Sequence, residues 1–211
     1  TLAMGIGLYL AREGKRVLYV DAEHINTFGS RLGNQSAVTA PDVYRKLAQG
    51  EKRIYQDIKH VVRREIFDYM PPLKAALMSL GLDLSVYEKL VLSAKESADY
   101  DFILVDTSNA FDLYKAGLMD ISDKVIIVLQ QGKNAAYAAK TFAENVNGIH
   151  AEKYVFLCNK YEKRKYNALT SPELAGKFTV SQYIENFADS EEADMEKMSR
   201  VPAIGQLSLL L

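Results

Sequence analysis

At 211 residues the chain is long enough for one domain with a substantial core, or at most two small ones. Its 48% hydrophobic and 25% charged residues exclude a disordered or fibrous protein, and a formal net charge of −1 provides no global attraction to nucleic acid or an anionic membrane. One cysteine, Cys158, excludes an intramolecular disulfide and a cysteine-cluster metal site, and no apolar run approaches the roughly 20 residues of a spanning helix. A reducing, cytoplasmic setting is the expectation.

The chain opens at Thr1-Leu2-Ala3 and runs through a small-residue helix and a Glu13-Gly14-Lys15 turn into an apolar strand, Val17 to Asp21. The strand delivers two acids, Asp21 and Glu23, at its carboxyl end. These elements have the order that follows a phosphate-binding loop, where glycine-rich backbone N–H groups, a lysine and a magnesium-binding hydroxyl meet the phosphates. None of the 211 residues supplies that loop. The expectation is a single nucleotide-binding domain over residues 1–211, truncated at its N-terminus and open to truncation at its C-terminus.

Pro41 opens a predicted helix to Leu47, Gly50 breaks it, and Ile54, Ile58 and Val61 or Val62 suggest a second. Glu65 to Met70 is a candidate strand, stopped by Pro71-Pro72 because proline cannot donate to a sheet ladder. Ser85 followed by Glu88 has capping-box spacing, and Val86, Leu90 and Ala94 form an apolar stripe, which predicts a helix over Val86 to Ser97. Strand-like runs follow at Phe102 to Asp106, Lys124 to Leu129 and Lys153 to Asn159, with an alanine-rich helix over Asn134 to Val146 ended by Asn147-Gly148. The charged tail from Asp189 to Arg200 reads as a solvated helix. Apolar strands without polar alternation are buried on both faces. Their alternation with helices predicts an α/β fold, a doubly wound and mostly parallel sheet with helices on both faces, whose ligands bind at the carboxyl ends of the strands.

Tyr100 to Thr107 is an apolar strand ending in Asp106, which has Walker B form. An acid here binds magnesium through water in P-loop hydrolases, or it merely caps the following turn. Asn159, in Phe156-Leu157-Cys158-Asn159-Lys160, is either a turn cap or a carboxamide able to both donate to and accept from an adenine edge. Cys158 reads as an inert buried thiol, His24 as a solvated loop histidine, and Lys160, Lys163, Arg164 and Lys165 as a solvated basic surface.

Taken together, Thr1-Leu2-Ala3, Gly14-Lys15-Arg16-Val17, the Asp21/Glu23 pair, Asp106-Thr107, the Ile121 to Val128 strand and Asn159 resemble the ParA/MinD family of P-loop ATPases. The resemblance implies ATP and Mg2+ as cofactors. It puts Thr1 at the α-phosphate, Asn159 beside the base, Asp106 on magnesium through water, and Asp21 and Glu23 at the catalytic switch. It further implies a homodimerising switch that positions cargo such as DNA, division machinery or a pilus or secretion system, cytoplasmic or peripheral at the inner face of the membrane, with a protein partner. Ser108-Asn109 replaces the family's usual prolines. Glu23-His24 stands where the family has aspartate-proline, and the extra methylene moves a carboxylate by roughly 1.5 Å, while misplacement by about 1 Å costs up to 10²-fold in rate. In this the chain is similar to the CpaE/TadZ-like localisation proteins of pilus assembly, which implies the alternative of a non-hydrolysing scaffold with a degenerate nucleotide site.

Overall fold

The computed structural model describes residues 2–23, 28–33, 36–50, 52–74, 77–146, 148–186 and 195–211. The chain divides into two compact units, Thr1–Ile121 with Met195–Ser199, and Ser122–Asp194 with Arg200–Leu211. Each is α/β, and their sheets are mostly parallel, as the strand runs predict.

In the first unit β1 (Val17–Asp21) lies between β3 (Asp68–Tyr69) and β4 (Phe102–Asp106), parallel to both, and β2 (Arg63–Arg64) pairs antiparallel with β3 at the edge. Alternation along the strands sorts two faces. Leu18, Val20, Ile103 and Val105 pack with Val43 and Leu47 of α2 (Pro41–Gln49), Ile54 and Ile58 of α3 (Ile54–Ile58), and Val86 and Leu90 of α4 (Ser85–Ser97). On the other face α1 (Leu2–Arg12) turns Gly7 toward Leu104 and Phe67. Helices therefore cover both sides of this sheet, and each fully buried Leu or Val contributes roughly 2 kcal/mol. Gly14, at φ +78°, makes the turn from α1 into β1 at no cost that a side chain would impose.

The structure differs from the sequence expectation at three places. The segment over residues 65–70 is not one strand: Arg63–Arg64 and Asp68–Tyr69 form a short antiparallel pair around the bend at residues 65–67. Ser85 does not cap α4 with its side chain; its backbone N–H donates to Asp83 Oδ1 at 2.8 Å, so the capping acceptor lies two residues earlier. The tail is not simply solvated, because in α7 (Met195–Ser199) Met198 and Ser199 are buried, and Met198 fills the space that a Cβ on Gly5 would need. Residues 189–194 of that predicted helix, and Asn147, lie outside the described residues.

In the second unit β6 (Tyr154–Tyr161) is central, parallel to β5 (Val125–Leu129) and β7 (Val180–Glu185). Phe156 and Cys158 face Ala136, Ala139 and Ala143 of α6 (Lys133–Asn145), where small residues let the helix approach closely. Val155 and Leu157 alternate with them and are also buried, while α8 (Pro202–Ser208) packs on β7. Cys158 is fully buried and its thiol is pushed above the usual range by that burial, so it is the inert thiol its strand position predicts.

Candidate functional site

The carboxyl end of the first sheet is built by register. Asp21 and Asp106 are paired residues, the last of β1 and β4, and the Ala22 N–H donates to the Asp106 carbonyl at 2.8 Å. Two parallel strands thus deliver two carboxylates side by side, at the edge where such sheets bind ligands.

Asp21 is buried, only 5% exposed. Its Oδ1 accepts the Glu23 backbone N–H at 3.0 Å, and the Phe28 N–H also donates to the carboxylate. This Asx-type turn fixes the backbone from which the Glu23 side chain departs. Burial dominates the Asp21 carboxyl and, with the nearby charges of Glu23 and Asp106, pushes it up to about 6 despite the two backbone donors.

Asp106 accepts a hydrogen bond from the Tyr19 hydroxyl, at 2.8 Å to Oδ2. Tyr19 is buried between Phe28 and Phe67, with ring centroids 5.0 and 6.0 Å away, and burial together with Asp106 drives its phenol well above the usual range. It therefore remains a donor. Lys115, three residues into α5 (Leu113–Ile121), directs its ammonium to the Ser108 carbonyl on the loop that leaves Asp106. Burial pulls this lysine below its usual value, opposed by the charges of Asp112 and Glu23. Sequence reasoning missed both Tyr19 and Lys115. Tyr19 had one legible signal: a hydroxyl in an otherwise aliphatic strand, two residues before Asp21 and so on the same face of the strand.

Magnesium fits this end of the sheet in one way. Among the described residues no group of three or more His, Cys, Asp and Glu side chains is placed to hold a metal ion. What is present is a single strand-end carboxylate whose Oδ1 takes no hydrogen bond from a described residue, and hard oxygen donors of this kind suit magnesium. That ion keeps several waters and takes its remaining ligands from substrate phosphates.

Asn159 lies in the second unit, near the end of β6. The pairing runs from Cys158 opposite Tyr183 to Tyr161 opposite Glu185, so β6 carries one extra residue there. Lys160 takes up the bulge at φ +56°, an uncommon conformation for a residue with a side chain, and its N–H donates to Asn159 Oδ1 at 2.9 Å. Beside it the buried Gln131 holds the following loop. Its Nε2 donates to the carbonyls of Glu162, Lys165 and Tyr166, each at 3.2 Å, and its Oε1 accepts the Glu162 N–H at 2.6 Å. Lys163, Arg164 and Lys165 are displayed on this pinned loop, with Lys165 ion-paired to Glu162 at 2.8 Å. Thr1 and His24 lie outside the described residues.

A family model described as AAA domain matches residues 1–158. No curated protein matches the chain. Among solved structures, it is similar to a ParA family ATPase from Chlorobium tepidum, at a TM-score of 0.70 and 16% identity over 99% of this chain and 85% of that one. The septum site-determining protein MinD from Pyrococcus horikoshii, complexed with Mg-ADP, gives 0.68 and 17%, over 99% and 86%. The MinC:MinD cell division complex from Aquifex aeolicus gives 0.64 and 20%, over 99% and 82%. At these identities the likeness is one of fold.

Proposed function

Because the chain belongs to the AAA domain family, in its ParA/MinD-type P-loop form, we propose that the full-length protein is an ATP-binding, ATP-hydrolysing switch that positions cellular cargo. The observation that carries this reading is the pairing of Asp21 with Asp106 at the carboxyl ends of parallel strands, inside the matched region. Support for the cofactors comes from the MinD relative solved with Mg-ADP.

In this reading Asp106 accepts hydrogen bonds from water on the metal. Magnesium, when bound, neutralises charge on the β- and γ-phosphates. Glu23 orients the attacking water, and Asp21, locked to the Glu23 and Phe28 N–H groups, shapes the turn that aims Glu23. Thr1 meets the α-phosphate and Asn159 reads the base. Catalysis by such a site is positioning and electrostatics, with little covalent work for the protein. The reading extends to a homodimer and to a protein partner, and the relative solved as a MinC:MinD complex illustrates the second for its own kind. Among the described residues no helix is long and apolar enough to cross a membrane. In this reading the protein is cytoplasmic, and peripheral at the membrane when it meets its partner.

One observation favours a second reading, a scaffold that keeps nucleotide but does not turn it over. Glu23 is a methylene longer than the aspartate of the family pattern, and its backbone is already fixed by Asp21. ATP turnover by the full-length protein, with Asp106→Ala as the background, separates the two. Turnover at least tenfold above that background is the expected result, and a rate equal to it leaves the scaffold.

A further inference from the structure

We propose that Tyr19 is a positioning residue for Asp106, setting which carboxylate oxygen faces the hydrated metal; this rests on the reading of Asp106 as the magnesium acid. A carboxylate on its last torsion has a broad, nearly free rotation, so an aspartate at a strand end presents no fixed oxygen on its own. Here one oxygen is tethered. The Tyr19 hydroxyl donates to Oδ2 at 2.8 Å, which leaves Oδ1, among the described residues, as the oxygen presented to a ligand.

The tether is itself rigid. Tyr19 is paired with Leu104 across the parallel register, two residues below Asp106, so its ring reaches along the sheet to the carboxylate. Phe28 and Phe67 contact the ring at 5.0 and 6.0 Å, and Tyr69 meets Phe28 edge-on at 5.5 Å, so four aromatic rings form one cluster. Tyr19 is 1% exposed, which leaves the phenol no room to swing to solvent. The same cluster reaches the turn at Asp21, because Phe28 both packs on Tyr19 and donates its backbone N–H to Asp21. One tyrosine therefore couples the metal acid to the turn that carries Glu23. A phenylalanine would fill the same space without the tether.

A purely structural tyrosine, satisfied by whichever acid lies near, predicts a different outcome from a positioning one. The test uses the full-length protein with ATP and Mn2+, reading bound Mn2+ by electron paramagnetic resonance alongside the Mg2+ dependence of turnover. Tyr19→Phe is expected to weaken Mn2+ binding to the nucleotide complex by about tenfold, the lower end of the loss seen when a partner of a direct metal ligand is removed, since Asp106 reaches the metal through water. Nucleotide affinity measured without metal, and the circular dichroism spectrum, are expected to stay as in the parent. In Asp106→Ala the further change Tyr19→Phe is expected to cost nothing more, since its effect passes through the carboxylate. Equal Mn2+ affinity in Tyr19→Phe and parent overturns the proposal while leaving the Asp106 reading intact. So does an additive loss in the double variant. If Asp106→Ala binds Mn2+ as the parent does, the reading of Asp106 itself fails, and Tyr19 loses its metal role with it.

Discussion

The carboxyl end of β1 and β4 and the carboxyl end of β6 handle polar side chains in opposite ways. In the first, charged groups are crowded and desolvated: Asp21 is buried within the field of Glu23 and Asp106, and two backbone N–H groups only partly compensate. At the end of β6, uncharged carboxamides are satisfied by backbone, with Gln131 bonded to the loop over residues 162–166 and Asn159 bonded to Lys160. The first arrangement spends stability to hold charge where a cation or phosphate chemistry can use it. The second gains stability by fixing a loop. Removing a polar group should therefore have opposite signs at the two places.

The largest expected effect is at Gln131. Gln131→Ala strips hydrogen bonds from the Glu162 N–H and from three carbonyls, and orphaned backbone groups make the cost about 3 kcal/mol. Urea unfolding measures the loss, and amide exchange at Glu162 is expected to accelerate. Unchanged exchange there would mean that the loop is held by something other than the carboxamide.

Asp21→Asn is expected to act in the other direction, keeping an oxygen that accepts the Glu23 N–H while removing the buried charge. A carboxyl raised to about 6 in the folded protein, from an unfolded value near 3.8, binds a proton more readily when folded. Its contribution to stability is therefore greatest below about pH 4, declines as pH rises to about 6, and is lowest at neutrality, by about 2–3 kcal/mol. The variant lacks that decline. Thermal unfolding of both proteins between pH 4 and 8 should converge at low pH and separate at pH 7, with the variant the more stable; parallel curves would show that Asp21 is not desolvated.

What could be read from the sequence follows the same division. Asp21 and Asp106 were legible because each ends an apolar run, and strand ends are where a parallel sheet delivers side chains. Their exact opposition was not, since register between strands separated by 80 residues depends on pairing that no local pattern encodes. Gln131 was invisible for a related reason. A glutamine just after a strand looks like any polar loop residue, and its value comes from four partners more than 30 positions away. The tail reads as solvated because its charges mask Met198, whose burial depends on Gly5 leaving room for it. The cap of α4 was displaced because Ser85 and Asp83 both offer oxygen acceptors, and spacing alone does not choose between them.

The smallest expected effect is at Asn159, and it tests whether the β6 end is only structural. The carboxamide oxygen accepts the Lys160 N–H at the bulge, which leaves its second lone pair and its two N–H donors for a nucleotide base, and such a bond, exchanged for one to water, gains little net energy. About 1 kcal/mol, or roughly a fivefold change in ATP affinity, is the scale to look for. Asn159→Asp and Asn159→Ala divide the two roles. Aspartate keeps an oxygen for Lys160 and loses the N–H donors that an adenine edge requires; alanine loses both. If Asn159 reads the base, both variants bind ATP about fivefold more weakly in a fluorescence titration, and only alanine is destabilised. If it is a bulge cap alone, aspartate matches the parent in stability and in affinity, and the β6 end contributes loop geometry to the protein while the β1 and β4 end carries its chemistry.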